Sequence, residues 1–400
     1  MPSTSICLFF SDTGGGHRSA ALAISQGLAD LSEQIEEGVE RPEILCENIV
    51  EKSHPLNRYF VDMYNFLLRH CQAGMKYYYW AIENFKPNDS QVGYRLARPY
   101  LFELLDELDA DVIVSIHPMS NHYLAKALTE MGRKDKTKLV TVVTDPNGDF
   151  WRGWACPDVD LTLVPNDLGR DRLLYWGIEP EKIKVTGMPV HPDFLKPSVC
   201  PPADFKKHLG LDPVNKKTIC INAGWAGGGN MLPIYKALEA VASEIQVVFI
   251  CGHNIALYER IKKESVLSPI PTAVLPFHDR MADLMSAVDL MVTKAGGLTT
   301  FESVARRLPM AIDVITPPMP QEEGTVNLLC NNKLAKPVKK PEDIVTIVKE
   351  LDRKRLELPD VCSLNRVDAV YDISTAILEL AGYKMQPELH KLIQFNSGQI

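Results

Sequence analysis

One short phrase occurs twice in this chain, 213 residues apart. Ile6-Cys7-Leu8-Phe9-Phe10 runs into Gly14-Gly15-Gly16, and Ile219-Cys220-Ile221 runs in the same register into Gly227-Gly228-Gly229. Each time an apolar β-type run ends in a triple glycine, and a helix-like stretch follows (Ser19 to Leu28; Met231 to Ala242). Strand, glycine turn and helix are how an α/β domain opens its first nucleotide-type crevice. Two copies predict two similar Rossmann-like α/β domains facing across a cleft, and 400 residues suffice for two cores.

The rest of the pattern agrees. Asp111–Ile116, Leu139–Thr144, Leu161–Val164 and Ile183–Thr186 read as strands of the first half; Thr218–Asn222, Gln246–Cys251, Ala273–Leu275, Leu290–Thr293 and Met310–Val314 as strands of the second. Runs apolar on both faces, alternating with helical stretches, mean parallel sheets, which bind ligands at the carboxyl ends of their strands. A proline-rich joint at 195–205 divides the chain into an acceptor-side domain at 1–200 and a nucleotide-binding domain at 201–366. The amphipathic stretch at 367–384 is expected to pack back on the first domain.

Composition narrows the function. A net charge of -8 offers no basic field for nucleic acid, so no nucleic-acid partner is expected. Nine cysteines stand singly, without C-x-x-C pairs or zinc spacing, which fits a reducing cytosol. The first apolar run has five residues and no basic lead, so no secretory signal is expected, and no run approaches the ~20 residues of a membrane span. A membrane role would be peripheral. Walker, G-x-S-x-G, HExxH and G-x-G-x-x-G motifs are all absent from the sequence.

The strongest local signal is Thr293-Lys294-Ala295-Gly296-Gly297-Leu298-Thr299-Thr300-Phe301-Glu302. A strand ends, a glycine turn follows, and a helix opens on hydroxyl residues. Its free amides and positive dipole end suit a diphosphate without a metal, and Glu302 could reach ribose hydroxyls. The competing reading makes Thr299 an N-cap with Glu302 as its capping-box partner. Gln321 and Glu322, on a proline-rich loop, suit a ligand rich in hydroxyls, or form a solvated acidic turn. His17 follows the first glycine turn, where a helix N-terminus keeps imidazole neutral and able to act as a base; a capping or packing histidine is the alternative, and its position directly after the triple glycine favours function. Asp109-x-Asp111 and Asp158-x-Asp160 match a metal-holding pattern but precede strands, at the end opposite the crevice, so no metal and no cofactor are expected. Tyr59–Phe85 holds nine of the 31 aromatics, including Tyr77-Tyr78-Tyr79-Trp80, with basic residues interleaved; it suits a membrane interface or a lipid channel, or plain helix packing.

These residues together resemble a known family. Ser11-Asp-Thr-Gly-Gly-Gly-His17-Arg-Ser-Ala-Ala21 is similar to the opening of the monogalactosyldiacylglycerol synthase and processive diacylglycerol glucosyltransferase group, inverting GT-B glycosyltransferases. The resemblance continues through Ser115–Pro118, Val143–Asp145, Val185–Pro192, Cys251–Asn254, Asp289–Glu302 and Gln321-Glu322. It implies transfer of a hexose from a UDP-sugar to a lipid acceptor, diacylglycerol, by a peripheral protein at the cytosolic membrane face. The same donor chemistry on a polyprenyl-linked or soluble acceptor, or a 2-epimerase-like isomerisation, are the alternatives. His17 would be the base, with Asp12 and Asp145 in reserve. Gly227, Gly228, Gly229, Gly252, His253, Lys294, Gly296, Gly297, Thr299, Thr300, Glu302, Gln321 and Glu322 would bind the donor; Gly15, Gly16, His117, Tyr78 and Trp80 would meet the acceptor. This chain departs from the pattern in having Pro320 before the Gln-Glu pair, Thr325 after it, and Asp149-Phe150-Trp151 downstream of Asp145.

Overall fold

A computed structural model describes residues 4–36, 38–70, 74–357, 366 and 368–385. The chain forms two compact units. The first comprises residues 1–64, 76–192 and 365–400, the second residues 65–75 and 193–364.

The first unit is built on a six-stranded sheet of β1 (Ser5–Phe10), β2 (Glu43–Asn48), β3 (Val112–Ser115), β4 (Lys138–Val142), β5 (Leu161–Val164) and β6 (Ile183–Val185), in the order β2-β1-β3-β4-β5-β6. Every neighbouring pair is parallel. Ile6, Cys7, Leu8 and Phe9 have no exposed surface, as a strand covered on both faces requires. β1 pairs with β2 on one side and β3 on the other, so the chain reverses its direction of winding there. That leaves a crevice beyond the carboxyl ends of β1 and β3.

The second sheet repeats the plan with β7 (Lys217–Asn222), β8 (Ile245–Ile250), β9 (Thr272–Leu275), β10 (Leu290–Thr293), β11 (Met310–Asp313) and β12 (Ala335–Val338), ordered β12-β11-β10-β7-β8-β9. Here the reversal lies between β7 and β10. Each copy of the doubled phrase therefore forms the strand at which its own sheet reverses. The expected strands are present, their ends shifted by a residue or two; β2 and β12, both at sheet edges, are additional.

Two clamps hold the chain that leaves the first unit onto the second. Asp283 Oδ1 accepts from Ser198 Oγ (2.7 Å) and the Val199 amide (2.9 Å), and the buried Arg306 guanidinium donates to the carbonyls of Asp193 and Lys196 (2.7 and 2.8 Å). The helix Ala369–Leu380 packs on the helix Gly16–Ser32 of the first unit. A Cβ at Gly27 would stand 2.7 Å from Ser374 Oγ, and Tyr371 Oη donates to Asp30 (2.9 Å).

The second carboxylate of each D-x-D pair serves a sheet start. Asp111 accepts from the Ser5 amide and Asp160 from the Leu139 amide, each at 2.9 Å, while Asp109 pairs with Lys136 (2.6 Å). Among the described helices, none is long and apolar enough to cross a membrane.

Candidate active site

At the reversal of the first sheet, the loop after β1 turns through Gly14 and Gly15 into the helix Gly16–Ser32. Gly15 is its N-cap at φ 81°, a left-handed conformation in which a side chain would be strained, so the turn is tight enough to set His17 over the strand ends. The His17 and His117 rings meet edge to face, 4.6 Å between centroids. Thr144, just past β4, places Oγ1 3.2 Å from His17 Nδ1, and the ring also bonds the main chain of Ile116. Thr13 Oγ1 lies 3.1 Å from His117 Nε2. Burial holds the His17 ring at about 4 despite the opposing Ile116 bond, so it is neutral at neutral pH. His117 is depressed well below its ordinary value, first by burial and then by His17.

Asp145 completes this group. Trp154 Nε1 donates to its Oδ2 at 2.7 Å, and the Trp154 ring lies 6.0 Å from that of His17. Burial raises Asp145 to about 6, against the lowering effect of that hydrogen bond. Asp12 has a different setting: Arg18 grips both its oxygens at 2.6 Å and Asn48 Nδ2 donates at 3.1 Å. Gly15 and Gly16 form the turn itself. Tyr78 and Trp80 are not brought to this group. Tyr78 packs on Tyr64 and Tyr79 (5.4 and 6.0 Å), whereas Trp80 is 61% exposed beside Phe85.

At the reversal of the second sheet, three loops converge. Gly227 (φ 69°) lies so close to the 251–254 loop that a Cβ would overlap the Cys251 carbonyl and Asn254 Cβ, and Asn254 Nδ2 donates to the Gly227 carbonyl (2.7 Å). Gly252 packs in turn on the carbonyls of Gly224 and Trp225. The Lys294 side chain lies along this loop; a Cβ at Gly229 would stand 3.3 Å from its Cδ and 3.2 Å from Asp313 Oδ2. Asp313 accepts from the Asn230 amide (2.9 Å) and from Asn230 Nδ2 (3.1 Å). Lys294, Asp313, Thr316 and Glu322 line one pocket with Pro317, Pro318 and Met319. Burial lowers the Lys294 ammonium, while Glu322 and Asp313 raise it.

The helix Gly297–Ala305 starts beside this pocket with Gly296 as its N-cap and no side-chain cap. Thr299 is therefore not the N-cap, and the capping-box reading fails: with no side chain over its first turn, the helix leaves amides for a ligand. The Thr300 hydroxyl turns back to the Gly296 and Gly297 carbonyls (2.9 and 3.0 Å), bracing the turn. Burial raises Glu302 to about 7. The Pro318–Gly324 stretch, expected as a loop, begins the helix Pro320–Asn331, because proline is well suited to a first helical position. Glu322 bonds the Met319 amide there at 3.4 Å; the Gln321 side chain lies outside the described residues. His253 is exposed and stacks on Phe277 (4.5 Å, 18°), with Trp225 tilted 5.0 Å away.

Sequence reasoning missed Thr13, Thr144, Trp154, Asp313, Asn230 and Phe277. Position after a strand marked Thr144 and Asp313, both of which directly follow or end apolar runs. Nothing local marked Trp154 over Trp151.

Two Rossmann-like units with polar groups at both reversals define a GT-B-type fold, and solved structures share it. Acinetobacter baumannii MurG aligns with a TM-score of 0.53 at 14% identity, over 94% of this chain and 99% of that one. The UDP-GlcNAc 2-epimerase from Methanocaldococcus jannaschii aligns at 0.59 and 12%, over 94% and 99%. The family model for monogalactosyldiacylglycerol (MGDG) synthase matches residues 17–190, and that for the glycosyltransferase family 28 C-terminal domain matches residues 230–356. A probable chloroplastic monogalactosyldiacylglycerol synthase from Nicotiana tabacum is 30% identical over 396 residues, covering 95% of this chain and 71% of that protein. The chain belongs to the monogalactosyldiacylglycerol synthase family and is a UDP-sugar glycosyltransferase.

Proposed function

We propose that this enzyme transfers a hexose from a UDP-sugar to the free hydroxyl of diacylglycerol, with inversion, as a peripheral protein at the cytosolic membrane face. The observation that carries the reading is the His17 group: a neutral imidazole at the strand-end crevice of the first unit, flanked by Thr144 and His117, with Asp145 held by the Trp154 ring beside it. His17 accepts the acceptor's proton as the hydroxyl oxygen attacks the anomeric carbon from the face opposite UDP. A weak base suits a hydroxyl that becomes acidic only as the new bond forms.

On the second unit, the uncapped amides at Gly297 and the Lys294 ammonium stabilise the departing diphosphate. Glu302 accepts from the ribose, and Gln321 with Glu322 meets the sugar hydroxyls. The exposed face of His253 and Phe277 offers a flat aromatic surface for the base. On the first unit, Tyr59, Phe60, Tyr77, Trp80 and Phe85 are each at least half exposed, on helices Pro55–His70 and Met75–Phe85, and would rest in the lipid interface. Free cysteines among the described residues favour the reducing side of that membrane.

The test supplies UDP-galactose, UDP-glucose and UDP-N-acetylglucosamine separately, with and without diacylglycerol vesicles, and analyses products by mass and anomeric configuration. A glycolipid of inverted configuration is expected. UDP release without a lipid product, or conversion of the donor into an epimer, would overturn the assignment. His17→Ala should abolish transfer while UDP still binds.

A further inference from the structure

Asp313 ends β11 and is 7% exposed. A carboxylate offers about four lone-pair sites, two on each oxygen, and here the protein fills them all. Oδ1 accepts from the Ile315 amide and from Asn230 Nδ2, both at 3.1 Å; Oδ2 accepts from the Asn230 amide (2.9 Å) and again from Nδ2 (3.1 Å). The other N–H of Asn230 Nδ2 goes to Thr316 Oγ1 (3.1 Å), so three acceptors fix which end of that side-chain amide meets the carboxylate. Lys294 is close by. Its Cδ and Asp313 Oδ2 lie 3.3 and 3.2 Å from where a Cβ on Gly229 would stand, and both side chains line one pocket. Yet among the described residues the Lys294 ammonium makes no ion pair and no hydrogen bond. Glu322, the other carboxylate of that pocket, bonds back to the Met319 amide. The acid beside the lysine is committed to other donors, and the cation is left for a ligand.

We propose that Asn230 is a positioning residue of the donor site: by occupying one lone-pair site on each Asp313 oxygen, it keeps that carboxylate from pairing with Lys294 and leaves the ammonium to the donor's diphosphate. The inference rests on the assignment of Lys294 to the diphosphate. Without the Asn230 side chain, each Asp313 oxygen loses one donor while the two main-chain bonds remain. Lys294, in the same pocket, is the cation able to replace that donor. A charge-assisted bond of this kind would have to break before a diphosphate could take the ammonium.

UDP and uridine affinities are measured by calorimetry, with thermal unfolding, for wild type, Asn230→Ala, Asp313→Asn and the double variant. Asn230→Ala should weaken UDP binding by ~5-fold or more, part of the worth of a charged hydrogen bond, and leave uridine, which carries no phosphate, within ~2-fold. Asp313→Asn removes the charge that would capture the lysine. It should therefore tighten UDP binding at least ~3-fold more in the Ala background than in wild type. Equal effects of Asp313→Asn in the two backgrounds, or wild-type UDP affinity in Asn230→Ala, overturn the proposal. So does a matching loss for uridine, which would mark a site that has merely loosened. Should the Ala variant unfold, Asn230→Leu, with the same branched outline, repeats the cycle. Lys294→Gln separates the two levels of the argument. Unchanged UDP affinity there overturns the diphosphate assignment and the proposal with it, whereas a loss there without coupling between positions 230 and 313 refutes the role of Asn230 alone.

Discussion

The two candidate bases of the first unit carry displaced acidities that separate them in a single experiment. Burial takes His17 down from 6.5 to about 4 and Asp145 up from 3.8 to about 6. A base works only when unprotonated, so kcat/KM should fall in acid around the value of whichever group serves. At pH 5, a base at 4 keeps ~90% of its plateau activity, a base at 6 keeps ~10%, and an unperturbed imidazole ~3%. Initial rates of glycolipid formation from pH 4.5 to 8, at subsaturating acceptor and with donor kept saturating at every pH so that the ionisation of Glu302 does not enter, distinguish these outcomes. Stability permits the measurement, because the two shifts oppose each other. His17 favours the fold above pH 6.5 and loses that contribution as pH falls towards 4. Asp145 does the reverse, favouring the fold increasingly as pH falls from 6 towards 3.8. Each is worth on the order of 3–3.5 kcal/mol at most, and circular dichroism at each pH checks that the fold persists. The expected profile is flat down to pH 5. A fall centred near 6.5 would refute the buried ring, and one near 6 that disappears in Asp145→Asn would transfer the base role to Asp145.

The second unit yields three further expectations. Lys294→Gln removes the cation beside Asp313 and Glu322 and should weaken UDP binding by ~10- to 100-fold in calorimetry, the worth of a charged hydrogen bond; unchanged affinity would exclude Lys294 from the diphosphate site. Gly227→Ala puts a side chain at φ 69° and into the Cys251 carbonyl, which should cost ~2–4 kcal/mol in denaturant unfolding; a loss under ~1 kcal/mol would mean that the 251–254 loop can retreat. Glu302, raised to about 7, should accept ribose hydroxyls only when ionised, so uridine affinity should rise as pH increases from 6 to 8, and Glu302→Gln should flatten that dependence. Uridine is chosen because it carries no phosphate to titrate.

The two sheets were legible because their central strands are apolar on both faces and end in glycine or polar turns. β2 was not. Glu43-Ile-Leu-Cys-Glu-Asn48 lies at a sheet edge, is only partly buried, and so retains charged residues that make it read as a connection. β12 sits at the opposite kind of edge and contains Pro337, which an interior strand would exclude. In the site, sequence order found the groups that follow strands but not those that fold back. Trp154 reaches Asp145 only because Arg152–Trp154 makes a 3-10 turn, which carries the side chain three residues past Trp151 to the carboxylate. Pro320 could have corrected the reading of Gln321 and Glu322, since a proline followed by acidic residues is how a helix often opens.

The doubled phrase explains why the proposed base belongs to one unit alone. Both copies supply the strand at which the sheet reverses and a glycine turn into a helix, so each could deliver a side chain to its crevice. The residue after the triple glycine decides what is delivered. In the first unit it is His17, whose ring lies against Thr144, His117 and the Ile116 main chain. In the second it is Asn230, whose amide and side chain both bond Asp313, with a further bond to Thr316 at 3.1 Å. Asn230 therefore closes its turn onto the carboxylate that lies beside Lys294, where a titrating imidazole would compete with the cation for Asp313. On the proposed function, the same backbone device sets the proton acceptor in one unit and fixes the charges beside the diphosphate in the other. A histidine in both places would put a second base beside the leaving group, where the developing negative charge calls for donors and cations rather than for a lone pair.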